Sequence, residues 1–166
     1  MSDFTLAKPH TGMSEVLIRP RISARAFIQS EGRVLLSRYE DHLGDWFVFP
    51  GGGQRNGETL EACLVREVKE ETSLQVRIGQ LRWVREFIAA DFPDSKIDPA
   101  FHQVEMIFEC DMMCHQHAKI GKGPDPGQIG LKWASIEELL SLRFYPQHVA
   151  EILNNRLPDR LYLGAV

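Results

Sequence analysis

The chain has 166 residues and a mass of 18.9 kDa, a length that fits one domain with a single adequate core. Its composition, 43% hydrophobic and 25% charged, is that of a globular protein, and no apolar run is long enough to span a bilayer. The formal net charge of −4 argues against a general nucleic-acid binder, which needs clustered Lys and Arg for the phosphate backbone. Three cysteines, Cys63, Cys110 and Cys114, make no disulfide framework. Together with the lack of a signal-peptide pattern at the N-terminus, they suggest a reducing cytoplasm.

Residues 1–14 are polar and aperiodic and read as a tail to one domain covering 1–166. Ile22, Ala24, Ala26 and Ile28 then alternate with Ser23, Arg25 and Phe27, the period of a strand. Glu31-Gly32 makes a tight turn into a second strand, Val34 to Arg38, so a hairpin is expected. Asp41 to Asp45 reads as polar loop. Trp46 to Phe49 is a short strand stopped by Pro50 and three glycines, Gly51 to Gly53, expected as a turn.

A helix is expected next. Thr59 suits its N-cap, Glu61 its first turn, and helix formers continue through Thr72. Two strands follow, Gln75 to Ile78 and Arg82 to Ile88, separated at Gly79. Asp91 to Pro99 reads as loop, Val104 to Cys110 as strand and Gly121 to Gly130 as a long loop. Leu131 to Ala134 is expected as the last strand. Ser135 to Glu138 opens a short helix, and Tyr145-Pro146 opens another with Pro in its first turn. Strands, helix, strands and terminal helices in that order suggest a mixed sheet with helices on its faces, an α/β fold.

The chemistry concentrates in Arg66-Glu67-Val68-Lys69-Glu70-Glu71. On a helix, Glu67, Glu70 and Glu71 stand at i, i+3 and i+4 and so share one face. Like charges that close repel unless a cation sits among them, and carboxylate oxygens suit Mg²⁺ where zinc would favour Cys and His. A solvated acidic face is the competing reading. Against it, Leu60 and Leu64 fall at roughly 0° and 40° on the wheel, and Glu67 and Glu71 at roughly 340° and 20°. The two acids continue the apolar stripe, as acids lining a cleft would. Gly51 to Gly53 precede the helix where backbone could approach a ligand closely and offer a carbonyl oxygen to a metal.

These residues resemble the Nudix box, Gly-x5-Glu-x7-Arg-Glu-apolar-x-Glu-Glu-x-Gly-apolar, through Gly52, Glu58, Arg66, Glu67, Val68, Glu70, Glu71 and Leu74. Ser73 stands where the box has its last Gly, which puts the helix C-cap in question and leaves the acids untouched. The resemblance implies an α/β/α sandwich with a mixed β-sheet between helices. It implies a Mg²⁺-dependent pyrophosphohydrolase, with Mn²⁺ a possible substitute, in which water attacks a phosphorus of a nucleoside diphosphate linked to another group. The substrate would be a small nucleotide such as a nucleoside triphosphate or a nucleotide sugar, and the protein a monomer or homodimer.

In that frame Glu70 and Glu71 are expected metal ligands, aided by the Gly51 or Gly52 carbonyl. Glu67 is a further ligand or the base that activates water, and Arg66 orients Glu67. Glu58 is expected to hold the loop to the helix. Glu105 and Asp125 are the carboxylates outside the box that could serve as the base; Glu105 could also be a metal ligand and Asp125 could contact the substrate, and each could equally be a surface acid. Arg38 could contact a substrate phosphate or be an ordinary surface residue. Trp46, Phe49, Trp83 and Phe87 could stack on a base, although aromatics on strands are more often core. Cys110, Cys114, His115 and His117 lack the second spaced pair of a zinc site.

Two other functions stay open on the same fold. One is a nucleotide-binding module that has lost catalysis, although none of the charged box positions is lost. The other is an isoprenoid-diphosphate isomerase, which needs a Cys and a Glu in the cleft; Cys63 lies near Glu67 in the helix.

Overall fold

A computed structural model describes residues 19–92, 97–113 and 117–166. The expected tail at 1–14, part of the Asp91 to Pro99 loop, and Cys114 and His115 fall outside these residues.

The chain opens with β1 (Arg21–Ser30) and β2 (Arg33–Asp41), paired antiparallel with Gln29 opposite Val34. Glu31 and Gly32, at φ 51° and 72°, make the two-residue turn. Positive φ at both central positions matches the right-handed strand twist, and Gly supplies the second at no steric cost. The Asp41 to Asp45 segment is shorter than a loop: β2 runs to Asp41 and β3 (Gly44–Val48) begins at once, with Tyr39 opposite Trp46. Gly51–Gly53 form β4, which pairs antiparallel with β1. Backbone pairing makes this strand, since glycine has no propensity for one.

Helix α1 runs Leu60–Thr72. The Thr59 hydroxyl accepts the Ala62 N–H at 3.1 Å, satisfying one of the first turn's unpaired donors. The helix ends on Ser73, at φ 60° and ψ 5°, whose N–H returns to the Lys69 carbonyl. Serine thus takes the left-handed conformation that glycine usually supplies.

Beyond α1, the two strands expected around Gly79 are one, β5 (Val76–Ile88), with register shifts between Ile78 and Trp83. Gly79 lies in the irregular stretch. Then come β6 (His102–Met112), β7 (Gln128–Ser135), β8 (Phe144–Tyr145), α2 (Gln147–Leu153) and β9 (Tyr162–Ala165). The helix expected at Ser135 is a single 3₁₀ turn, Glu138–Leu140, and Pro146 is the cap of α2, one position before its first turn.

The sheet order is β8-β3-β2-β1-β6-β5-β9, with β4 on β1 and β7 on β2. Pairs β1–β6, β3–β8 and β5–β9 are parallel and the rest antiparallel, so the sheet is mixed. Strand alternation divides the core between its two faces. Ala24, Ala26, Ile28 and Leu35 pack against Cys63, Leu64 and Val68 of α1. Phe27, Val34, Leu36 and Trp83 pack against Val149, Ala150 and Ile152 of α2. A mixed sheet with a helix on each face is the α/β/α sandwich expected.

Ser73→Gly should relieve the left-handed strain at the end of α1, less the extra entropy glycine carries when unfolded. The expected gain is about 0.5–1 kcal/mol, or a Tm about 1–4 °C higher, in thermal unfolding. A Tm equal to or below the parent's would contradict this reading of the cap.

Candidate metal centre

The buried stripe of α1 consists of Cys63, Leu64, Glu67, Val68, Glu71 and Thr72, so two acids extend an apolar face inward. Glu71 is fully buried. Its Oε2 accepts the Ser37 hydroxyl at 2.8 Å and the Gly51 N–H at 3.2 Å. Its Oε1 is buried and, among the described residues, accepts no hydrogen bond. An unpaired buried carboxylate oxygen costs several kcal/mol unless a proton or cation serves it. Burial, reinforced by the charge of Asp125, pushes the carboxyl up to about 7, against the opposing pull of Arg25, Ser37 and Gly51.

Glu67, also buried, and Asp125, half-buried, complete the group. One oxygen of each of Glu67, Glu71 and Asp125 lies within 4.8 Å of the others. Three carboxylates brought this close, with no Cys or His in the group and with one Glu71 oxygen left unbonded, fit a hard divalent cation such as Mg²⁺ or Mn²⁺.

Asp125 comes into range because its loop docks on the end of α1. The Lys119, Gly121 and Gly123 amides donate to the Thr72, Glu71 and Glu70 carbonyls at 3.1, 3.1 and 3.2 Å. Gln128 adds a bond from its side chain to the Glu71 carbonyl at 3.3 Å. These donors satisfy the carbonyls a helix leaves unpaired at its C-terminus. The approach is close: a Cβ on Gly121 would stand 2.0 Å from the Glu70 carbonyl oxygen.

Arg66 braces the other side. Its Nε and Nη2 donate to Glu58 at 2.8 and 2.9 Å, and its Nη1 donates to Glu67 Oε1 and, at 3.2 Å, to Glu70. The guanidinium fork holds Glu58 down to about 2, helped by the Arg55 amide at 3.0 Å. Glu67 lies against the glycine strand, where a Cβ on Gly52 would come within 2.5 Å of its carboxyl carbon. Glycine at 52 leaves the space this carboxylate occupies.

Several residues singled out in the sequence lie apart from this group. Glu70 faces Arg66 and Arg55 and does not join the three carboxylates. The Gly51 carbonyl accepts from Arg25 Nη1, and the Gly52 carbonyl faces the Cys63 thiol at 3.5 Å. Glu105 is buried among Arg25, Arg85 and Gln103, where the two guanidinium charges outweigh the burial that would raise its carboxyl and hold it below the usual range. Arg38 follows Val34 and Leu36 on the α2 face and pairs with Asp45 at 2.9 Å, whereas Ser37 reaches Glu71 from the other face. Phe49 and Trp83 are core. Trp46 stacks on Tyr39 at 4.3 Å, and Phe87 on Phe92 at 5.2 Å.

Sequence reasoning missed Ser37, Arg25, Tyr39 and Gln128. Burial and the charge of Glu71 push the Tyr39 hydroxyl upward, which places it in the field of the site. Alternation held the signal for Ser37 and Arg25: both are polar in strands whose neighbouring positions are core.

Comparison with known proteins agrees with the box. The NUDIX domain model matches residues 19–154, and the chain belongs to this family. It is 31% identical over 97 residues to an ADP-ribose pyrophosphatase of Methanocaldococcus jannaschii, covering 58% of this chain and 53% of that protein. It is 37% identical over 65 residues to an 8-oxo-dGTP diphosphatase of Proteus vulgaris, covering 39% and 55%. The chain thus spans about half the length of these curated relatives. A NUDIX hydrolase structure from Nitrosomonas europaea superposes with a TM-score of 0.65 at 20% identity, over 89% of this chain and 78% of that one, which shows the shared fold.

With chelator present, folded Glu71 keeps its proton to about pH 7, whereas the unfolded chain releases it near 4.5. The folded state binds more protons between those values, so this residue lowers stability as pH rises through them. Glu71→Gln has no charge to bury. It should gain on the parent by about 3 kcal/mol between pH 4.5 and 8, read from urea unfolding at each pH. A pH-independent difference would contradict the buried, metal-free carboxyl.

Proposed function

We propose that the protein is a divalent-metal-dependent pyrophosphohydrolase that cleaves the phosphoanhydride of a nucleoside diphosphate linked to another group. The observation that carries this reading is the convergence of Glu67, Glu71 and Asp125 on one point, with Glu71 Oε1 buried and unbonded. The names of the two relatives, a pyrophosphatase and a diphosphatase, support the same chemistry.

Glu71, Asp125 and Glu67 would hold the cation, Mg²⁺ or Mn²⁺. When bound, it supplies positive charge to the phosphoryl oxygens and to the attacking water. Glu67 is the base we favour, since Arg66 fixes its orientation and Glu105 is enclosed by its own cations. Arg66 and Glu58 keep Glu67 in one rotamer, a precondition for a short proton transfer from water. The Gly51 amide and Ser37 hydroxyl hold Glu71 Oε2, so that Oε1 is the oxygen left for the cation.

The substrate we propose is a small nucleotide, a nucleoside triphosphate or a nucleotide sugar. Among the described residues no helix is long and apolar enough to cross a membrane. A reducing cytoplasm is the setting we propose, in keeping with the free thiols of Cys63 and Cys110. The Cys63 thiol weighs against an isomerase: it is fully buried under the Gly52 carbonyl, and burial pushes it up to about 11.

The test is turnover of nucleoside triphosphates, nucleotide sugars and dinucleoside polyphosphates, with Mg²⁺ and with chelator. Cleavage of one class that stops in chelator is expected; no cleavage of any member would reject the hydrolase reading. On the substrate so found, Glu67→Gln should lower kcat by about a hundred- to ten-thousand-fold, the usual worth of a general base. Turnover within a few-fold of the parent would move the base elsewhere.

A further inference from the structure

Arg25 stands opposite Gly51 in the β1–β4 pairing, with a side chain only 12% exposed. Its Nη1 donates to the Gly51 carbonyl and, at 3.3 Å, to the Phe49 carbonyl, and its Nε donates to Glu105 Oε1 at 3.1 Å. Glu105 also accepts from Arg85 Nε and, at 2.7 Å, from Gln103 Nε2. One buried carboxylate thus anchors two guanidinium groups, Arg85 buried and Arg25 largely so. Such a cluster is stable only while each charge keeps its partners, so its geometry is narrowly set.

The cluster reaches the metal centre through Gly51. The residue whose carbonyl Arg25 holds sends its own N–H to Glu71 Oε2 at 3.2 Å. Gly51 sits at φ 135°, and a Cβ there would stand 2.2 Å from the Ala24 carbonyl oxygen. This peptide therefore lies close against β1, and Arg25 is the side chain that fastens it there.

We propose that Arg25 is a positioning residue for the hydrolysis: clamped by Glu105, it grips the Phe49 and Gly51 carbonyls and holds the Gly51 N–H on Glu71 Oε2. The second oxygen, Oε1, then stays clear of protein donors and available to a cation. Glu105 serves as the counter-ion of this clamp and not as a ligand. The inference rests on the metal-dependent hydrolase reading above.

The test is Arg25→Lys, which keeps the charge but loses the planar fork that reaches two carbonyls and a carboxylate together. In ¹⁵N-labelled protein without metal or substrate, the Gly51 amide proton should move upfield as its bond to the carboxylate loosens. Mn²⁺ affinity, read by electron paramagnetic resonance, should fall by about 10- to 100-fold, the usual effect of losing a group that orients a metal ligand. With the substrate the parent cleaves, kcat should fall while KM changes by less than about threefold. A folded Arg25→Lys with the parent's Gly51 resonance, and Mn²⁺ affinity within about twofold of the parent, would overturn the proposal. Should Arg25→Lys fail to fold, Glu105→Asp, which draws the carboxylate back by one methylene, is read in the same way. The Gly51 resonance needs neither metal nor turnover. A parent that cleaves nothing therefore rejects the hydrolase reading and leaves the amide comparison to decide this one.

Discussion

The burial of the Glu71 carboxylate is the constraint on which the rest of the site depends. A fully buried acid is expensive to keep ionised, and the fold offsets that cost on one oxygen only. Ser37 and Gly51 serve Oε2, while Oε1 faces no protein donor among the described residues. Without a cation the group keeps its proton to about pH 7, so a bound cation and a bound proton are competing solutions to one problem. Glu67 and Asp125 favour the cation, because a proton on Glu71 does nothing for their charges.

Placing three acids together requires that each be held by something else. Arg66 pairs with Glu58 and turns Glu67 inward, and the missing Cβ of Gly52 leaves room for it. Asp125 is brought by a loop whose amides cap the last carbonyls of α1. The helix end thus does two jobs: it satisfies its own backbone and fixes the distance between Glu71 and the third carboxylate. Glu70, half-exposed among Arg66 and Arg55, balances charge at the rim.

Much of this was legible in the sequence, and the limits have physical reasons. Helix periodicity carried Glu67 and Glu71 onto the buried face, and Thr59 marked the helix start. The Glu31-Gly32 turn gave the first hairpin its register. Strand β4 was not legible because glycine does not favour a strand, and β8 and β9 because two and four residues are too short to show a period; a neighbour's backbone makes each of them. Gly79 read as a break and is an irregularity within one long strand, because β6 pairs on both sides of it. Glu105 and Asp125 were indistinguishable as isolated acids. What separates them is tertiary: Glu105 meets two guanidiniums across the sheet, and Asp125 meets Glu71 across a loop. Alternation in β2 sets Arg38 on the face opposite Ser37, which is why Ser37 and not Arg38 reaches Glu71.

The proposed cation lies between Glu67, Glu71 and Asp125. Crystals soaked in Mn²⁺ and measured above and below the manganese absorption edge test this directly. An anomalous peak within coordination distance of Glu71 Oε1, shared with Glu67 and Asp125, is expected. A peak at Glu70 or Glu105 with Glu71 Oε1 left uncoordinated, or no peak at a Mn²⁺ concentration that supports turnover, would contradict it.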